Sequence, residues 1–337
     1  MKILLISSGF SGIYPYLEQS IEDAFKDLKH SVLKINPDYT NETKQKVELF
    51  DPDLVFTLVG FKMDQFLIRF LQKRNFILCI WLTEDPYYSD DTIHIIRDYN
   101  FIFTVDLGAY SFYKKRFPEK NIYHLPLGTD PSLYYPSLTQ STPIYDLCLV
   151  GYPYPERVEL VNHVMNTMNH SLILVGPSWK KFSNHLKHKK NLIIINRWVE
   201  PTLVRELFNK SKIVLNPHRE YNFIKNKNEL DIKSKSINNR TFDIAACGSF
   251  QLIPNKTDLS RHFNTTNEIV PYKDHNECIE LIKQFINAET ERKRYSDNAY
   301  KKVTNNHTFS HRVQYILEKC REFRKNSEED SLDQPHV

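Results

Sequence analysis

A short segment late in the chain combines one cation, one carboxylate and a glycine. Residues 238–248, NNRTFDIAACG, read as a helix that begins near Asn239 and Arg240, narrows to two alanines and stops at Gly248 before an apolar strand. The amino end of a helix beside Arg240 favours the binding of a diphosphate. Asp243 lies one turn later, where its carboxylate can accept hydrogen bonds from the hydroxyls of a ribose. The segment predicts a nucleotide-diphosphate site; an ordinary helix packed on a strand is the alternative.

Other residues with useful chemistry follow the apolar segments that predict strands. Gly9 lies in a small-residue turn (SSGFSG) that a ligand can approach closely, although the GxGxxG spacing of dinucleotide sites is absent. Each residue alone is explained as simply by a structural role. Together, at the carboxyl ends of parallel strands, they predict a ligand site. The remaining candidates are Glu84, Asp85, Arg157, Arg197, Trp198, Val199, Asn216 and His218.

Two successive alternations of strand and helix must position these residues. Such alternation predicts two doubly wound, parallel α/β domains that face each other across a cleft. The polar segment 135–143, which contains two prolines, predicts the linker. The expected division is a first domain at 1–140, a second at 141–305, a C-terminal helix at 306–325 and an acidic tail at 326–337. Strands are predicted at 2–7, 31–35, 54–59, 76–81, 101–105, 146–150, 172–175, 192–195, 213–215 and 250–253.

Length and composition fit a two-domain protein of the cytoplasm. The chain has 337 residues, of which 41% are hydrophobic, enough for two cores. Its five cysteines are scattered without a CxxC pair, which favours a reducing compartment. The first residues do not read as a signal peptide, and no apolar run approaches the ~18 residues of a membrane span.

Charge is concentrated in one region. Residues 177–240 contain 15 Lys and Arg against 5 Asp and Glu, which predicts attraction for a phosphorylated ligand or an acidic surface. Nucleic acid is not predicted, because aromatic residues are not interleaved with these cations. No metal site is predicted either: Asp51 and Asp53 precede a strand and read as a turn, and His185 and His188 lack companions at ligand spacing.

Several segments resemble a known family. They are 239–248, 267–272 (NEIVPY) and 306–312 (NHTFSHR) in the second half, with 81–86 (WLTEDP) and 125–130 (LPLGTD) in the first. With them the chain resembles the spore-maturation glycosyltransferase-like proteins of the CgeB/YkvP type, which are related to GT-B glycosyltransferases. The resemblance covers most of residues 1–325. It implies a GT-B-like fold of two Rossmann-like domains followed by a C-terminal helix.

The resemblance also implies an activity. A hexosyltransferase of this type moves a sugar from a nucleotide-sugar donor, here a UDP-sugar, to a spore-surface protein or glycan, without metal or cofactor. The second domain holds the donor and the first faces the acceptor, either in the mother-cell cytosol or at the spore surface. Asp243 takes the place of the acidic residue, commonly Glu, that contacts the ribose. Lys235 departs from the pattern, because retaining GT-B enzymes have a second Glu there.

Chemical roles follow for individual residues. Without a metal, the leaving diphosphate needs Arg side chains and helix amino ends, which makes Arg157 and Arg240 the candidates, ahead of Arg197. A base for the acceptor hydroxyl is expected from Asp85 or, second, Glu84, with a cap or loop anchor as the structural alternative. Trp198 and Val199 are expected to flank the nucleotide base, and core packing is the alternative for Trp198.

Two other functions remain open at this point. The departure at Lys235 is compatible with a catalytically inactive, carbohydrate-binding or structural spore protein of the same fold. The second open function is that of a nucleotide-sugar hydrolase or epimerase. Donor turnover distinguishes the inactive protein from the two enzymes, and dependence on an acceptor distinguishes the transferase from the hydrolase.

Overall fold

The first half of the chain forms one parallel sheet. The computed structural model describes residues 1–137, 142–186 and 189–332. Six strands lie in the order β2-β1-β3-β4-β5-β6, and the four inner strands are largely buried between helices on both faces. The elements are β1 Lys2–Ile6, α1 Tyr14–Asp27, β2 Ser31–Ile35, α2 Asn41–Phe50, β3 Leu54–Leu58, α3 Gln65–Lys73, β4 Ile77–Leu82, α4 Ser89–Ile95, β5 Phe101–Thr104, α5 Leu107–Arg116 and β6 Asn121–His124.

The second half repeats the arrangement. Its six parallel strands lie in the order β12-β11-β10-β7-β8-β9. The elements are β7 Tyr145–Val150, α6 Pro155–Thr167, β8 Leu172–Val175, α7 Trp179–Phe182, β9 Leu192–Ile195, α8 Pro201–Asn209, β10 Ser211–Leu215, α9 Arg240–Ala246, β11 Gln251–Pro254, α10 Leu259–His262, β12 Val270–Tyr272, α11 His275–Phe285, α12 Glu289–Asn306 and α13 Phe309–Leu332.

Local sequence explains where many of these helices begin. Asp64 and Asp106 precede α3 and α5, and each carboxylate accepts hydrogen bonds from backbone N–H groups of the first turn. Proline occupies the first turn of α6 and α8, where its missing N–H costs nothing. Each sheet then has apolar side chains on both faces, so each half builds a core above and below its strands.

Two chain segments cross between the halves and contact each other. Thr129 follows the last strand of the first sheet, and its N–H donates to the carbonyl of His307 at 2.9 Å. The N–H of Phe309 donates in turn to the carbonyl of Thr129 at 3.1 Å. A Cβ on Gly128 would lie 2.6 Å from the backbone of Thr308, so only glycine fits at this crossing. Helix α13 then returns to the first half, where the rings of Phe309 and Trp81 meet edge to face.

The structure extends and corrects the expected elements. Strands β6 and β12 were not predicted from the sequence; both are short and lie at sheet edges. Helix α13 continues to Leu332, past the expected start of the tail at 326; residues 333–337 lie outside the described part. So do residues 138–141 of the predicted linker, and the division into domains at 140 stays a prediction. Among helices of the described residues, none is both long and apolar enough to cross a bilayer.

Candidate functional site

A cavity of about 430 Å³ lies between the two halves of the chain. It opens at the carboxyl ends of β4, β7, β8 and β9, where a ligand site is expected in open α/β sheets. The first half contributes a wall that includes Tyr14 and Glu84, and the second half contributes the larger share. Seven of the predicted site residues line this cavity: Glu84, Arg197, Trp198, Val199, Asn239, Arg240 and Asp243.

Two guanidinium groups converge on Gly151. A Cβ at this position would lie 2.3 Å from Nη1 of Arg157 and 3.3 Å from Nη1 of Arg240, so the glycine makes room for both. Arg240 lines the cavity at the start of α9, whereas Arg157 lies buried behind it on α6. Burial, then the charge of Arg240, lowers the pKa of Arg157 to about 10. Two cations this close favour an anionic ligand.

Arg157 also has a structural task. Its Nε donates to the carbonyl of Pro217 at 3.0 Å and its Nη1 to that of Tyr152 at 3.0 Å. The guanidinium lies over the ring of Tyr154, 5.0 Å from its centre. These contacts hold the turn after β7 in place. Arg240 therefore presents the accessible charge, and Arg157 supports it from behind.

Asp243 is buried and already hydrogen-bonded. Its Oδ1 accepts from the hydroxyl of Thr129 at 2.8 Å, and its Oδ2 accepts from the amide of Asn239 at 3.2 Å. Burial raises the pKa of Asp243 to about 7. Oδ1 of Asn239 is buried and has no hydrogen-bond partner among the described residues. Asn239 and Asp243 therefore offer two neighbouring acceptors at the cavity wall.

Of the two adjacent carboxylates, Glu84 faces the cavity. Its Oε1 accepts a hydrogen bond from the hydroxyl of Tyr14, and its Oε2 lies 3.9 Å from Nη1 of Arg219. Burial raises the pKa of Glu84, while the Tyr14 hydrogen bond and the Arg219 charge lower it. Thirty-one per cent of the side chain remains exposed, so a hydroxyl in the cavity can reach it.

Asp85 points the other way. It lies in a separate cavity of about 90 Å³ and accepts hydrogen bonds from the hydroxyls of Thr104 at 2.7 Å and Tyr113 at 2.9 Å. Burial raises its pKa to about 7. From the sequence, Asp85 comes before Glu84 as the candidate base; the structure places Glu84, and not Asp85, at the larger cavity. Consecutive residues leave a strand end in different directions, which spacing alone does not reveal.

Trp198 bridges the mouth of the cavity. Its side chain is 45% exposed, its ring centre lies 6.4 Å from that of Tyr16, and its Nε1 would be 3.6 Å from a Cβ on Gly12. The core-packing alternative for Trp198 is thus wrong. Val199 is buried in the core of the second half but also lines the cavity, and Arg197 beside it is exposed.

Besides Arg157 and Asp85, three predicted residues do not line the cavity. His218 is buried and neutral, because burial holds its pKa well below the usual value; it donates to the carbonyl of Asn216 and accepts from the N–H of Asn238 at 2.9 Å. Asn216 is fully enclosed by Asn238, Thr241 and Gln251. Gly9 lines another cavity, where Lys62 donates to its carbonyl.

The structure adds three residues that sequence reasoning missed. Tyr14 reaches Glu84 from α1, Thr129 reaches Asp243 from the crossover segment, and Arg219 reaches Glu84 from the loop after β10. Each is more than 60 positions from its partner, so local spacing gave no signal. Arg219 follows the strand predicted at 213–215, and this position was the only signal that its sequence offered.

The described residues contain no group of three or more His, Cys, Asp or Glu side chains arranged to hold a metal ion. Asp53 directly precedes β3, and its carboxylate accepts from the N–H of Lys2. His185 contacts the amide oxygen of Asn162 at 2.9 Å. His188 lies outside the described residues.

Comparisons with known proteins agree with this architecture. A family described as glycosyl transferase-like matches residues 156–318. The spore protein CgeB of Bacillus subtilis (strain 168) is 31% identical over 310 residues, which cover 92% of this chain and 95% of CgeB.

Solved structures share the fold at low sequence identity. Sucrose-phosphate synthase from Thermosynechococcus elongatus matches with a TM-score of 0.71 and 11% identity, over 97% of this chain and 100% of that one. An alpha-glucosyltransferase in complex with UDP has a TM-score of 0.68 and 12% identity, over 94% and 98%. Alr3699/HepE from Anabaena, in complex with UDP-glucose, has a TM-score of 0.61 and 11% identity, over 96% and 100%. The predicted GT-B fold is confirmed.

Proposed function

This chain belongs to the CgeB family and is a glycosyltransferase by family and fold; from that premise we propose that it transfers a hexose from a UDP-sugar to a protein or glycan acceptor. The relative's name, spore protein, motivates a spore-surface acceptor. UDP is chosen because two proteins of the same fold bind UDP or UDP-glucose. The acceptor and the UDP-sugar donor are part of the proposal.

The paired guanidinium groups at Gly151 carry this proposal. Arg240 faces the cavity with Arg157 behind it, and the arginine ion pairs of the described residues involve Arg74 and Arg219 instead. Arg240 and Arg157 therefore form no ion pair within the described residues, and their positive charges can attract an anionic ligand. A diphosphate supplies the matching anion, and it gains further negative charge as the sugar leaves.

The remaining walls orient the rest of the donor. Asn239 and Asp243 offer acceptors for the ribose hydroxyls, one turn or less from Arg240. Trp198 and Val199 provide apolar surface for the uracil at the mouth. With the diphosphate at Arg240, the hexose then points to the side of the cavity formed by Tyr14 and Glu84.

Glu84 is the group best placed to receive the acceptor proton. It lines the cavity opposite the second half, and its carboxylate is held by Tyr14 and Arg219. In the proposed step the acceptor oxygen bonds to the anomeric carbon as the carbon–phosphate oxygen bond breaks. The acceptor proton passes to Glu84, and the bonding electron pair stays on the diphosphate beside Arg240.

A ligand and turnover panel tests this function. We expect UDP and one UDP-hexose to raise the melting temperature, because a ligand that binds only the native state stabilises it by mass action. Release of UDP from that donor should increase when spore-coat extract is supplied as acceptor. Binding without turnover would favour the inactive carbohydrate-binding protein, and turnover that ignores the acceptor would favour a hydrolase. No binding by any nucleotide sugar would refute the proposal.

A further inference from the structure

Arg219 spans the two halves of the chain beside the reaction cavity. It belongs to the loop after β10, yet its guanidinium lies among tyrosines from both halves. The distances from its central carbon to the ring centres are 4.5 Å for Tyr87, 5.3 Å for Tyr88 and 5.1 Å for Tyr154. Only 13% of the side chain is exposed. An arginine desolvated among rings is held strongly and in a defined orientation.

The nitrogen atoms of Arg219 are divided between two partners. Nε donates to Oδ1 of Asn226 at 2.8 Å, and Nη2 donates to the same oxygen. Nη1 is left facing Oε2 of Glu84 at 3.9 Å. Asn226 is itself fixed, because its amide donates to the carbonyls of Glu220 and Tyr221 at 2.9 Å. The direction of Nη1 toward Glu84 is thus set by the loop.

The loop that carries Arg219 is fastened to the first half. Asn228 accepts from the hydroxyl of Ser89 at 2.7 Å, and Asp90 accepts from the N–H of Glu229 at 2.9 Å. Lys227 forms an ion pair with Asp91 at 2.9 Å. Residues 221–235 contain no helix or strand, yet these contacts attach them to the first half. The contact between Arg219 and Glu84 is therefore a property of the joined halves.

We propose that Arg219 is a positioning residue, which keeps Glu84 ionised and aimed into the cavity while the two halves are joined. This inference rests on the proposed function. Tyr14 donates to one oxygen of Glu84 and Arg219 supplies positive charge to the other, so the carboxylate is ready to accept a proton despite its burial. The other ionisable groups around the guanidinium are Tyr87, Tyr88 and Tyr154. Burial raises the pKa of Tyr87 and of Tyr154, so neither carries a charge near pH 7.

The test compares Arg219→Met and Arg219→Lys with the remote, exposed control Arg294→Met. Without the cation, Glu84 takes up a proton at higher pH, so its charge is lost at low pH and regained at high pH. We expect kcat of Arg219→Met to fall about tenfold at pH 6.5 and by less than about threefold at pH 9, with KM for the donor unchanged. Arg219→Lys should restore most of the loss because it retains the charge.

A titration that needs no turnover separates this inference from the proposed function. The ¹³C carboxyl signal of Glu84, identified by its loss in Glu84→Gln, should titrate at higher pH in Arg219→Met than in wild type. An equal midpoint in both proteins, or a loss of kcat of the same size at every pH, overturns the role of Arg219. Wild-type protein without turnover on any donor would instead refute the proposed transferase, while the titration would still decide the role of Arg219.

Discussion

Thr129 donates a 2.8 Å hydrogen bond to Asp243 across the junction of the two halves. Asp243 is the residue that the sequence assigned to the ribose, and Thr129 lies in the crossover segment, whose backbone also pairs with the start of α13. Oδ1 of Asp243, the candidate ribose acceptor, is therefore already used in a hydrogen bond between the two halves. The free acceptor beside it is Oδ1 of Asn239. We therefore expect Asn239 to share the ribose with Asp243.

The buried carboxyl of Asp243 predicts a pH-dependent stability. Its pKa of about 7 in the folded chain exceeds the ordinary value of 3.8, so the folded state binds the proton more tightly and loses stability as pH rises from about 4 to about 7. Asp243→Asn removes this loss of stability. Asn239 can rotate its side-chain amide so that its oxygen accepts a hydrogen bond from the amide introduced at position 243. The difference in Tm between variant and wild type should grow across that range and then level off. The exposed control Asp23→Asn should show no such growth.

Arg240 is expected to dominate binding of the diphosphate. Arg240→Ala should weaken UDP binding by about 1.5–3 kcal/mol, the range of a charge-assisted hydrogen bond, because its guanidinium is the accessible cation of the pair. Isothermal titration calorimetry measures the change, with the exposed Arg294→Ala as control. Unchanged UDP affinity in a folded Arg240→Ala protein would remove this site from the proposal.

The adjacent carboxylates should respond differently to neutral substitution. Glu84→Gln should lower kcat by about 10²–10⁴-fold with normal UDP affinity, because Glu84 faces the cavity from the half opposite Arg240. Asp85→Asn should leave turnover per folded molecule largely intact, because Asp85 lies in a separate cavity, where it accepts hydrogen bonds from Thr104 and Tyr113. The reverse pattern would return the base to Asp85. Near-normal turnover in both would indicate that no protein base is required.

Trp198 provides a spectroscopic test of donor binding. Trp81 and Trp179 are fully buried, so acrylamide should quench mainly Trp198, which is 45% exposed at the mouth of the cavity. Saturating UDP should reduce this quenching by covering the ring. The reduction should disappear in Trp198→Phe. If calorimetry detects UDP binding while quenching stays the same, the nucleotide base does not lie against Trp198.

Transfer should not depend on a divalent ion. Arg240 and Arg157 already place two positive charges where the diphosphate is proposed to leave. Activity should therefore survive incubation with EDTA, measured as UDP release from the donor. Loss of activity in EDTA that Mn²⁺ restores would contradict this assignment of the charge-stabilising groups.

The sequence by itself determined the architecture and one wall of the site. Apolar segments that alternate with helical ones specify two parallel sheets, because strands buried on both faces leave an unmistakable apolar pattern. The helix with Arg240 and Asp243 was recognisable because its residues are local to one another. Edge strands β6 and β12 were not predicted from the sequence, because they are short and only partly apolar.

Only the tertiary structure decided which side chains meet. Glu84 and Asp85 are neighbours in sequence, but one faces the cavity and the other accepts hydrogen bonds in a separate, smaller cavity. Thr129 and Asp243 are 114 positions apart, and Glu84 meets Arg219 only where the two halves join. Such contacts depend on how two independently specified sheets are oriented and on which way each strand end turns. Periodicity encodes the faces of one element, whereas the pairing of side chains from distant elements is fixed only by packing.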